Sequence, residues 1–476
     1  MNIITDKIIP EFYIQTFSLL FFPEDNNFSK NFESKNHIII SIDRNITVKI
    51  CYNNKTAVKT EIFENKTEND PVIQAGKLFY KAAGEITGIY PPWGIYTGIR
   101  PAVTAGDILI KNDFNIEKTV KKLCGDYMMY KNKAELAVEI FINNFKRGLY
   151  DVRENEYSLY ISIPFCPTRC KYCSFTSFTG PKLLKLIPEY IKKLTEEIEQ
   201  TGKITKNMNL KSVYIGGGTP TVLNCESLKI ILNAVKNNFN IEYINEYTVE
   251  CGRADTINEE KLILLKSFGI DRISVNPQTI NDDVLQKIGR IHTSEDFYRA
   301  FFAAKKSGIK NINTDCIIGL PGESRESMIN TINTLIDLKP ENITVHSLCI
   351  KKSSELKKEK YEISKNMNLN EIAEKYYKIL INSGYKPYYL YRQKYTAENL
   401  ENIGFCLDDH ECLYNIYMMD ELQTIFGMGA GAITKIVKNK KIERIANYKY
   451  PYEYIENDFQ INKESNNIKL KILREE

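Results

Sequence analysis

The sequence predicts an α/β protein built around a partial, open barrel of six parallel strands. Two observations carry this prediction. Between Leu159 and Cys349, short apolar, β-branched runs alternate with helix-like segments, which is the pattern of parallel βαβ units with right-handed crossovers. Polar residues and glycines directly follow the runs, and parallel barrels carry their functional groups at those strand ends. We therefore expect an N-terminal α+β region over residues 1–150, the barrel over 151–355 and a C-terminal accessory domain over 356–476.

The N-terminal region has a character of its own. The run "HIIISIDRNITVKICY" alternates like a strand pair that turns at Asp43-Arg44-Asn45. "PVIQAGKLFYKAAGEITGI" has a helical pattern, and "YPPWGIYTGIRPA", which contains the only tryptophan, Trp93, is punctuated like a loop. No chemistry is evident in this region from the pattern alone.

The barrel region offers six candidate strands with helices between them. The strands are "LYISIPF", "SVYIGGG", "YTVECG", "RISVNPQ", "NTDCIIGL" and "NITVHSLCI". "IPEYIKKLTEEIEQ" repeats its apolar residues with the spacing of one helix face, and "SMINTINTLIDL" does likewise. "SEDFYRAFFAAKKSG" predicts a further helix, with Ser294 as its N-cap and Gly308 just beyond its end.

Beyond about residue 355 the pattern changes again. A lysine-rich link, "KKSSELKKEKYEISKNMN", leads to a helix-like stretch and then to "YYLYRQKY" and "FGMGAGAI". This arrangement indicates an accessory domain or cap.

Composition restricts the class of protein. Apolar residues make up 43% and charged residues 26% of the chain, as in ordinary globular proteins. The 64 basic and 60 acidic side chains nearly balance, so charge gives no reason to expect nucleic acid or an anionic membrane as a partner. The N-terminus lacks a signal-peptide pattern, and no apolar run is long enough to span a membrane. We therefore expect a cytoplasmic protein, in which the eleven cysteines serve metal or redox chemistry better than disulfides.

Three of those cysteines lie within eight positions. Cys166, Cys170 and Cys173 form C-x-x-x-C-x-x-C directly after the first predicted strand. Three thiolates can hold three irons of a 4Fe-4S cluster and leave the fourth iron open for another ligand. The alternatives are a zinc site with a distant fourth ligand and three core cysteines that happen to be close. The polar loop, flanked by Pro164 and Pro167, favours the cluster.

These motifs resemble those of the radical S-adenosylmethionine (SAM) superfamily. The cysteine motif with Tyr172 before its last cysteine, and then "GGGTPT", "VECG", "DRISVNPQT", "IGRIHT" and "DCIIGLPGES" in that order, are similar to the oxygen-independent coproporphyrinogen III oxidase family. "GIRP", "YYLYRQK" and "HECLYN" resemble its HemZ-like group. The resemblance covers almost the whole chain and implies a partial barrel of the radical SAM type.

The resemblance implies a role for individual residues. It makes Cys166, Cys170 and Cys173 the ligands of a 4Fe-4S cluster whose open iron takes the amino and carboxylate groups of SAM. It assigns nine further residues to the cofactor, with Cys349 as a weaker neighbour: Tyr160, Tyr172, Gly217, Gly218, Thr219, Glu250, Gln278, Arg290 and Asp315. Glycine is physically suited to such a turn because the missing Cβ lets the backbone approach a ligand closely.

Most of these residues also have a purely structural interpretation. Glu250 and Asp315 could be strand-end charges paired with Arg253 or lysines, and Arg290 could be a solvated arginine at a helix end. Four other cysteines are best interpreted as small buried hydrophobic residues: Cys225, Cys251, Cys316 and Cys349. The stretch "CLDDHEC", with Cys406, His410 and Cys412, could bind a metal, although its spacing fits no standard site.

The resemblance also implies a reaction. SAM would be cleaved to a 5′-deoxyadenosyl radical that abstracts hydrogen from a porphyrinogen propionate, and loss of carbon dioxide and an electron would leave a vinyl group. This implies a low-potential electron donor, such as flavodoxin or ferredoxin, and a tetrapyrrole substrate whose carboxylates meet Arg169, Lys171 and Arg290.

One difference from the oxidase branch leaves other reactions as alternatives. Ser174-Phe175 follows the cysteine motif at the position where the oxidase branch has a further cysteine. In this respect the chain is closer to the haem-chaperone branch. The terminal aromatic motif of the chaperone branch, however, is missing from this sequence. Two alternatives therefore stand. One is a haem-binding chaperone with His346 or His410 as axial ligand. The other is a radical SAM enzyme acting on another tetrapyrrole or on RNA.

Overall fold

The structure is a computed structural model that describes residues 1–23, 28, 35–64, 70–173, 177–351, 354–359, 361, 367–439, 441–456 and 468–469. The chain divides into two compact units. The N-terminal unit consists of Met1–Asn143 with Leu390–Glu401, and the sheet unit consists of Asn144–Tyr389 with Asn402–Glu476. The expected domain boundaries at residues 150 and 355 stay a prediction.

The N-terminal unit contains a four-stranded sheet in the order β1-β2-β3-β4. Its strands are β1 Asn2–Ile4, β2 His37–Ile42, β3 Asn45–Tyr52 and β4 Lys55–Ile62. The predicted strand pair is confirmed: β2 and β3 run antiparallel from His37 opposite Cys51 to Ile42 opposite Ile46. The Asp43 carboxylate accepts a hydrogen bond from the backbone N–H of Asn45 at 2.7 Å, so the local side chain fixes this turn.

Helices cover this sheet and continue the chain beyond it. They are α1 Glu11–Phe21, α2 Asp70–Thr87, α3 Pro101–Lys111, α4 Ile116–Tyr127 and α5 Lys131–Lys146. The predicted helix α2 is confirmed, and its apolar face, including Leu78 and Phe79, packs in one core with Phe17 of α1 and Ile38 and Val48 of the sheet. Burial of this stripe stabilises the helix more than its intrinsic propensity does.

The predicted loop is buried at Trp93, whereas Tyr90 and Ile99 in the same loop are exposed. Trp93 Nε1 donates to Glu401 Oε2 at 2.7 Å, and Lys133 Nζ donates to Glu401 Oε1 at 2.7 Å. Burial alone would raise the pKa of Glu401, but the Lys133 ammonium outweighs it and the pKa is lowered. The guanidinium of Arg392 lies 5.5 Å from the centre of the Trp93 ring. Arg392 N–H also donates to Ile99 O at 2.8 Å, so the "GIRP" and "YYLYRQK" stretches are in direct contact.

The sheet unit is built on the six predicted strands, all of which are confirmed. They are β5 Glu156–Ile163, β6 Asn209–Gly217, β7 Glu246–Val249, β8 Arg272–Ser274, β9 Asn311–Ile318 and β10 Asn342–Ser347. Each pairs in parallel with the next, from β5 to β10. The order of the larger sheet is β11-β12-β10-β9-β8-β7-β6-β5-β13-β14-β15, and no closed barrel is seen among the described residues of this α/β arrangement.

Helices connect these strands. They are α6 Pro181–Leu184, α7 Ile187–Ile204, α8 Cys225–Asn238, α9 Glu259–Ser267, α10 Asp282–Lys287, α11 Ser294–Lys306 and α12 Arg325–Leu338. The three predicted helices correspond to α7, α11 and α12. The expectation that Ser294 caps α11 is wrong. Thr293 is the N-cap because its hydroxyl accepts from Asp296 N–H while the Asp296 carboxylate accepts from Thr293 N–H, a reciprocal capping box.

The remaining elements come from the C-terminal part. They are α13 Glu355–Lys358, α14 Leu369–Asn382, β11 Lys386–Arg392, β12 Glu401–Cys406, α15 Leu413–Met419, β13 Thr424–Met428, β14 Ile433–Lys438, β15 Lys441–Ala446 and α16 Pro451–Glu456. Strand β13 pairs in parallel with β5, and β12 pairs antiparallel with β10. Residues expected to form an accessory domain therefore extend the central sheet. No described helix is both long and apolar enough to cross a bilayer.

A buried ion pair joins the C-terminal part to the strands. Arg272 of β8 donates to Glu246 of β7 at 3.1 Å, and both side chains are less than 5% exposed. The guanidinium also donates to the carbonyls of His410 and Glu411, while Glu246 accepts from Cys412 Sγ at 3.2 Å. His410 Nδ1 lies 2.6 Å from Asn311 Oδ1. The "HECLYN" stretch thus contacts the amino-terminal halves of the strands.

Candidate functional site

The cysteine loop begins where β5 ends. Cys166 N–H donates to Phe178 O at 3.1 Å and Phe178 N–H donates to Pro164 O at 2.8 Å, so the loop folds back on itself. Cys166 and Cys170 are buried, whereas Cys173 is partly exposed. Ser174-Phe175, where the sequence departs from the oxidase branch, lies outside the described residues.

Neighbouring elements hold this loop from several sides. Lys171 N–H donates to Ile288 O at 2.9 Å, and Leu356 N–H donates to Lys171 O at 3.2 Å. The buried guanidinium of Arg253, just after β7, donates through Nη1 to Thr168 Oγ1 at 2.9 Å and to Cys170 Sγ at 3.7 Å. The guanidinium of Arg253 therefore contacts both the backbone side of the loop, through Thr168, and its middle cysteine.

The glycine-rich turn after β6 packs directly on the cysteine loop. Gly218 N–H donates to Ile163 O and Thr219 N–H donates to Phe165 O, both at 2.8 Å. Thr219 Oγ1 lies 3.4 Å from Cys166 Sγ. A Cβ on Gly218 would lie 2.4 Å from Phe165 O, and Gly217 has φ +111°, which favours glycine. The turn therefore needs both glycines to bring two loops together.

Gly218→Ala tests this packing. Because the obstructing atom is backbone, we expect the two loops to be forced apart, with a loss of about 1–3 kcal/mol in the free energy of unfolding. Urea denaturation measures this loss. Gly125→Ala is the matched control, since nothing lies within 4 Å of its added Cβ and alanine favours the helix. Equal stability of the Gly218 variant and the wild-type chain would contradict the packing argument.

Glu250 lies immediately after β7 and faces the glycine turn. Its Oε1 accepts from Tyr214 Oη at 2.5 Å and its Oε2 accepts from Gly217 N–H at 3.1 Å. Burial raises the pKa of Glu250 to about 7, with a further contribution from the Asp315 carboxylate, against the lowering effect of the two hydrogen bonds. Glu250 can therefore change charge near neutral pH.

Tyrosines surround Glu250. Tyr160 stacks on Tyr214 with ring centres 6.3 Å apart, and Tyr414 of α15 stacks on Tyr214 at 4.3 Å. Burial, and then the neighbouring Glu250 carboxylate, raise the pKa of Tyr160. Tyr160 thus stays a neutral, partly exposed aromatic surface at the end of β5.

Asp315 of β9 lies in a second polar group. Its Oδ2 accepts from Asn276 Nδ2 at 2.8 Å, its Oδ1 accepts from Asn313 Nδ2 at 2.7 Å, and His346 Nε2 lies 3.5 Å from Oδ2. The expectation that Glu250 and Asp315 could be paired with Arg253 is wrong. Arg253 instead makes a two-point contact with Asp255, at 3.0 and 3.1 Å.

Gln278 and Arg290 are buried beside this group. Arg290 Nη1 donates to Asn276 O at 2.7 Å and to Gly252 O at 3.2 Å, and Nη2 donates to Tyr172 Oη at 3.1 Å. The alternative of a solvated arginine is therefore wrong. Gln278 has φ +70°, an uncommon backbone conformation for this residue type. Within the part of the chain that the structure describes, Gln278 Oε1 and Arg290 Nε have no hydrogen-bond partner, so both retain capacity for a polar ligand.

The cations expected to meet substrate carboxylates are mostly engaged within the chain. The Arg290 fork is occupied as above, and Lys171 Nζ lies 2.8 Å from Glu359 Oε1. The two terminal nitrogens of Arg290 and the Lys171 ammonium are therefore engaged within the chain, whereas Arg290 Nε has no partner among the described residues. Of the four cysteines expected to be buried, Cys251 and Cys316 are, whereas Cys225 and Cys349 are partly exposed.

Three residues in the site were not found by sequence reasoning. Tyr214, Arg253 and Asn276 touch Glu250, Cys170 and Asp315 respectively. Tyr214 and Asn276 alternate with other polar residues along strands that otherwise look apolar, and this alternation was the available signal. The partner of Arg253 lies 83 positions earlier in the chain, so no local pattern points to it.

The residues fit a 4Fe-4S cluster and SAM. Three thiols on one loop, with a guanidinium donor beside the middle one, form an iron–sulfur donor set. The unpartnered atoms of Gln278 and Arg290 and the close backbone turn suit a polar cofactor. Among the described residues, no three His, Cys, Asp or Glu side chains converge on one point as they would around a single metal ion. A 4Fe-4S cube does not require such convergence, because each thiolate binds a different iron.

Comparisons with known proteins agree with this geometry. Residues 160–335 match the model of the radical SAM superfamily, a family that uses a 4Fe-4S cluster and SAM. The HemN coproporphyrinogen III oxidase of Escherichia coli has the same fold, with a TM-score of 0.53 and 22% identity over 68% of this chain and 73% of that chain.

Two proteins of similar sequence indicate a narrower group within this superfamily. The heme chaperone HemW of Bacillus subtilis is 37% identical over 40% of this chain and 50% of its own. The oxygen-independent coproporphyrinogen-III oxidase-like protein HemZ of Bacillus subtilis is 38% identical over 78% of this chain and 75% of its own. Identity of that extent, together with the cysteine loop at the end of β5, means that the chain belongs to the radical SAM superfamily and, within it, to the HemZ-like group of coproporphyrinogen-III oxidase-like proteins.

Proposed function

We propose that this chain is an oxygen-independent coproporphyrinogen III oxidase, which converts propionate side chains of the porphyrinogen to vinyl groups by oxidative decarboxylation. The observation that carries the proposal is that the cysteine loop, the glycine turn, Glu250 and Arg290 lie together at the carboxyl ends of adjacent parallel strands. The substrate class is supported by the name of the HemZ relative.

Each residue has a defined task in this proposal. Cys166, Cys170 and Cys173 would hold the cluster, and the backbone of Gly217–Thr219 with Glu250, Gln278, Arg290 and Asp315 would hold SAM. When bound, the reduced cluster and SAM supply a radical that can abstract hydrogen from an unactivated carbon. Glu250, held by Tyr214 and Gly217, offers a carboxylate to a cationic group. Arg290 fixes Tyr172 and the loops after β7 and β8, which orients the walls of the site.

The proposal requires a low-potential electron donor, of the flavodoxin or ferredoxin type, and a cytoplasmic location where both tetrapyrrole and reductant occur. The electron that leaves the substrate needs an acceptor in addition. Tyr160 is partly exposed and its ring stacks on the buried Tyr414, which gives an aromatic surface that suits a flat ring system.

A haem chaperone is the second candidate. It is favoured by the HemW relatives, which are named heme chaperones, and by His346, which lies beside Asp315 at the carboxyl end of β10. In this case the chain would bind haem without changing a propionate.

One assay separates the two. The cluster is reconstituted anaerobically, dithionite, SAM, coproporphyrinogen III and a chemical electron acceptor are added, and the products are followed by mass spectrometry. We expect loss of carbon dioxide from propionates with formation of methionine and 5′-deoxyadenosine. SAM cleavage without propionate loss would overturn the oxidase proposal. Stoichiometric haem binding that is lost in His346→Ala, without turnover, would favour the chaperone.

A further inference from the structure

Arg253 connects the cysteine loop to Asp255, whose side chain is 16% exposed. Its side chain is 3% exposed and lies just after β7. Nη1 reaches Thr168 O at 3.2 Å, Thr168 Oγ1 at 2.9 Å and Cys170 Sγ at 3.7 Å. Thr168 lies between Cys166 and Cys170 in the chain, so one guanidinium holds both the backbone of the loop and its middle thiol.

The other edge of the guanidinium is fixed by Asp255. Nε and Nη2 donate to its two carboxylate oxygens at 3.0 and 3.1 Å, a two-point contact that only arginine can make. His292 Nδ1 lies 3.6 Å from Asp255 Oδ1, and the His292 side chain is fully buried. The arrangement His292–Asp255–Arg253–Cys170 thus runs from the interior to the proposed cluster ligand.

We propose that Arg253 is a positioning residue that sets the reduction potential of the cluster through its hydrogen bond to Cys170 Sγ. This inference rests on the assignment of the three cysteines as cluster ligands, and it goes beyond the proposed reaction. The physical reason is electrostatic: adding an electron makes the cluster more negative, so a cationic donor at one of its sulfurs stabilises the reduced form. Hydrogen bonds to sulfur and net local charge are established determinants of such potentials.

Asp255 acts on the same group with the opposite sign. Its carboxylate fixes the guanidinium in position, but its negative charge partly offsets the cation. Removing Arg253 therefore both withdraws a donor from Cys170 and leaves the Asp255 charge uncompensated. Removing only the charge of Asp255, as in Asp255→Asn, leaves an amide oxygen that can still accept from Arg253 and increases the net positive charge near the sulfur.

The test is the midpoint potential of the reconstituted cluster, measured by EPR-monitored redox titration without substrate. We expect Arg253→Gln to shift the reduction equilibrium about tenfold towards the oxidised cluster, or about 59 mV lower for a one-electron couple, and Asp255→Asn to raise the potential. Arg253→Lys keeps a charge without the fork and should fall between. Arg299→Gln is the control, because Arg299 is exposed and pairs with Asp296 on α11.

The inference predicts a lower reduction potential in Arg253→Gln and a higher one in Asp255→Asn, so each variant can contradict it. If Arg253 only holds the loop, Arg253→Gln will lower the iron content but leave the potential of the remaining clusters unchanged, and that result would overturn the inference. If Arg253→Gln binds no cluster, Asp255→Asn becomes the deciding variant. A lowered or unchanged reduction potential in Asp255→Asn would then overturn the inference. Opposite shifts in a chain that leaves coproporphyrinogen intact would support the inference while removing the substrate assignment. A wild-type chain that takes up no iron would overturn both the cluster and this role.

Discussion

We expect Cys170→Ala to abolish both the visible charge-transfer absorbance of the anaerobically reconstituted chain and its cleavage of SAM. Cys170 is the middle thiol of the loop, is buried, and accepts the Arg253 hydrogen bond. Its loss leaves two protein ligands for a cluster that needs three to leave one iron open. Iron and sulfide content should fall from about four per chain to near zero, and no 5′-deoxyadenosine should form.

A matched control separates loss of the cluster from loss of the fold. Cys225 lies at the start of α8, far along the chain from the loop, and is partly exposed. Cys225→Ala should keep iron content and SAM cleavage at wild-type levels. Thermal unfolding of both variants without iron should differ from wild type by only about 1 kcal/mol, because alanine removes one small atom. A Cys170 variant that still assembles the cluster and cleaves SAM would remove Cys170 from the ligand set.

The sequence predicts the parallel strands well because they are buried on both faces. "SVYIGGG" and "NITVHSLCI" are dominated by β-branched and apolar residues with glycine or polar residues at their ends, and such short runs between amphipathic helices leave few other interpretations. The sequence also predicts that the cysteine loop, the glycine turn and Glu250 lie at one edge, because the carboxyl ends of parallel strands share that edge.

Contacts between distant parts of the chain were not predictable. Cys412 and Glu246 are in contact although they are 166 positions apart in the chain. Likewise β13 and β5 are neighbours in the sheet although they lie far apart in the sequence, with Thr424 opposite Tyr157. Short-range periodicity carries no information about such pairings. For this reason the sequence does not predict that the "CLDDHEC" stretch contributes the His410 and Glu411 carbonyls to the buried Arg272, or that Arg253 contacts Cys170.

The second large effect is expected at Glu250, where we predict that Glu250→Gln stabilises the fold and weakens SAM binding. Burial raises the pKa of Glu250 from 4.5 to about 7. Between these values the folded chain binds more protons than the unfolded chain, so the wild-type chain loses stability as the pH rises through this window. The loss is at most about 3 kcal/mol, reduced because the side chain is partly open to solvent. Glutamine does not ionise and avoids this cost.

The sign of the pH dependence tests whether burial raises the pKa of Glu250 in the folded chain. The difference in unfolding free energy between Glu250→Gln and the wild-type chain should be small near pH 5, grow up to about pH 7 and then level off, as measured by urea denaturation without iron. Glu226→Gln is the control substitution, because the Glu226 side chain is exposed and its replacement removes no buried carboxylate. A flat or falling difference at Glu250 would contradict the burial argument.

With the cluster loaded, the same charge should help SAM bind. Glu250 accepts hydrogen bonds from Tyr214 and Gly217 and, when ionised, can also pair with a cationic group of the cofactor. We therefore expect wild-type SAM affinity to increase as the pH passes about 7, and Glu250→Gln to lose about tenfold in affinity, or about 1.4 kcal/mol, above that pH. A variant that gains stability while keeping full SAM affinity would show that the buried carboxylate serves something other than the cofactor. A variant that loses both would mean that the hydrogen bonds of Glu250 to Tyr214 and Gly217, and not its charge, determine its contribution.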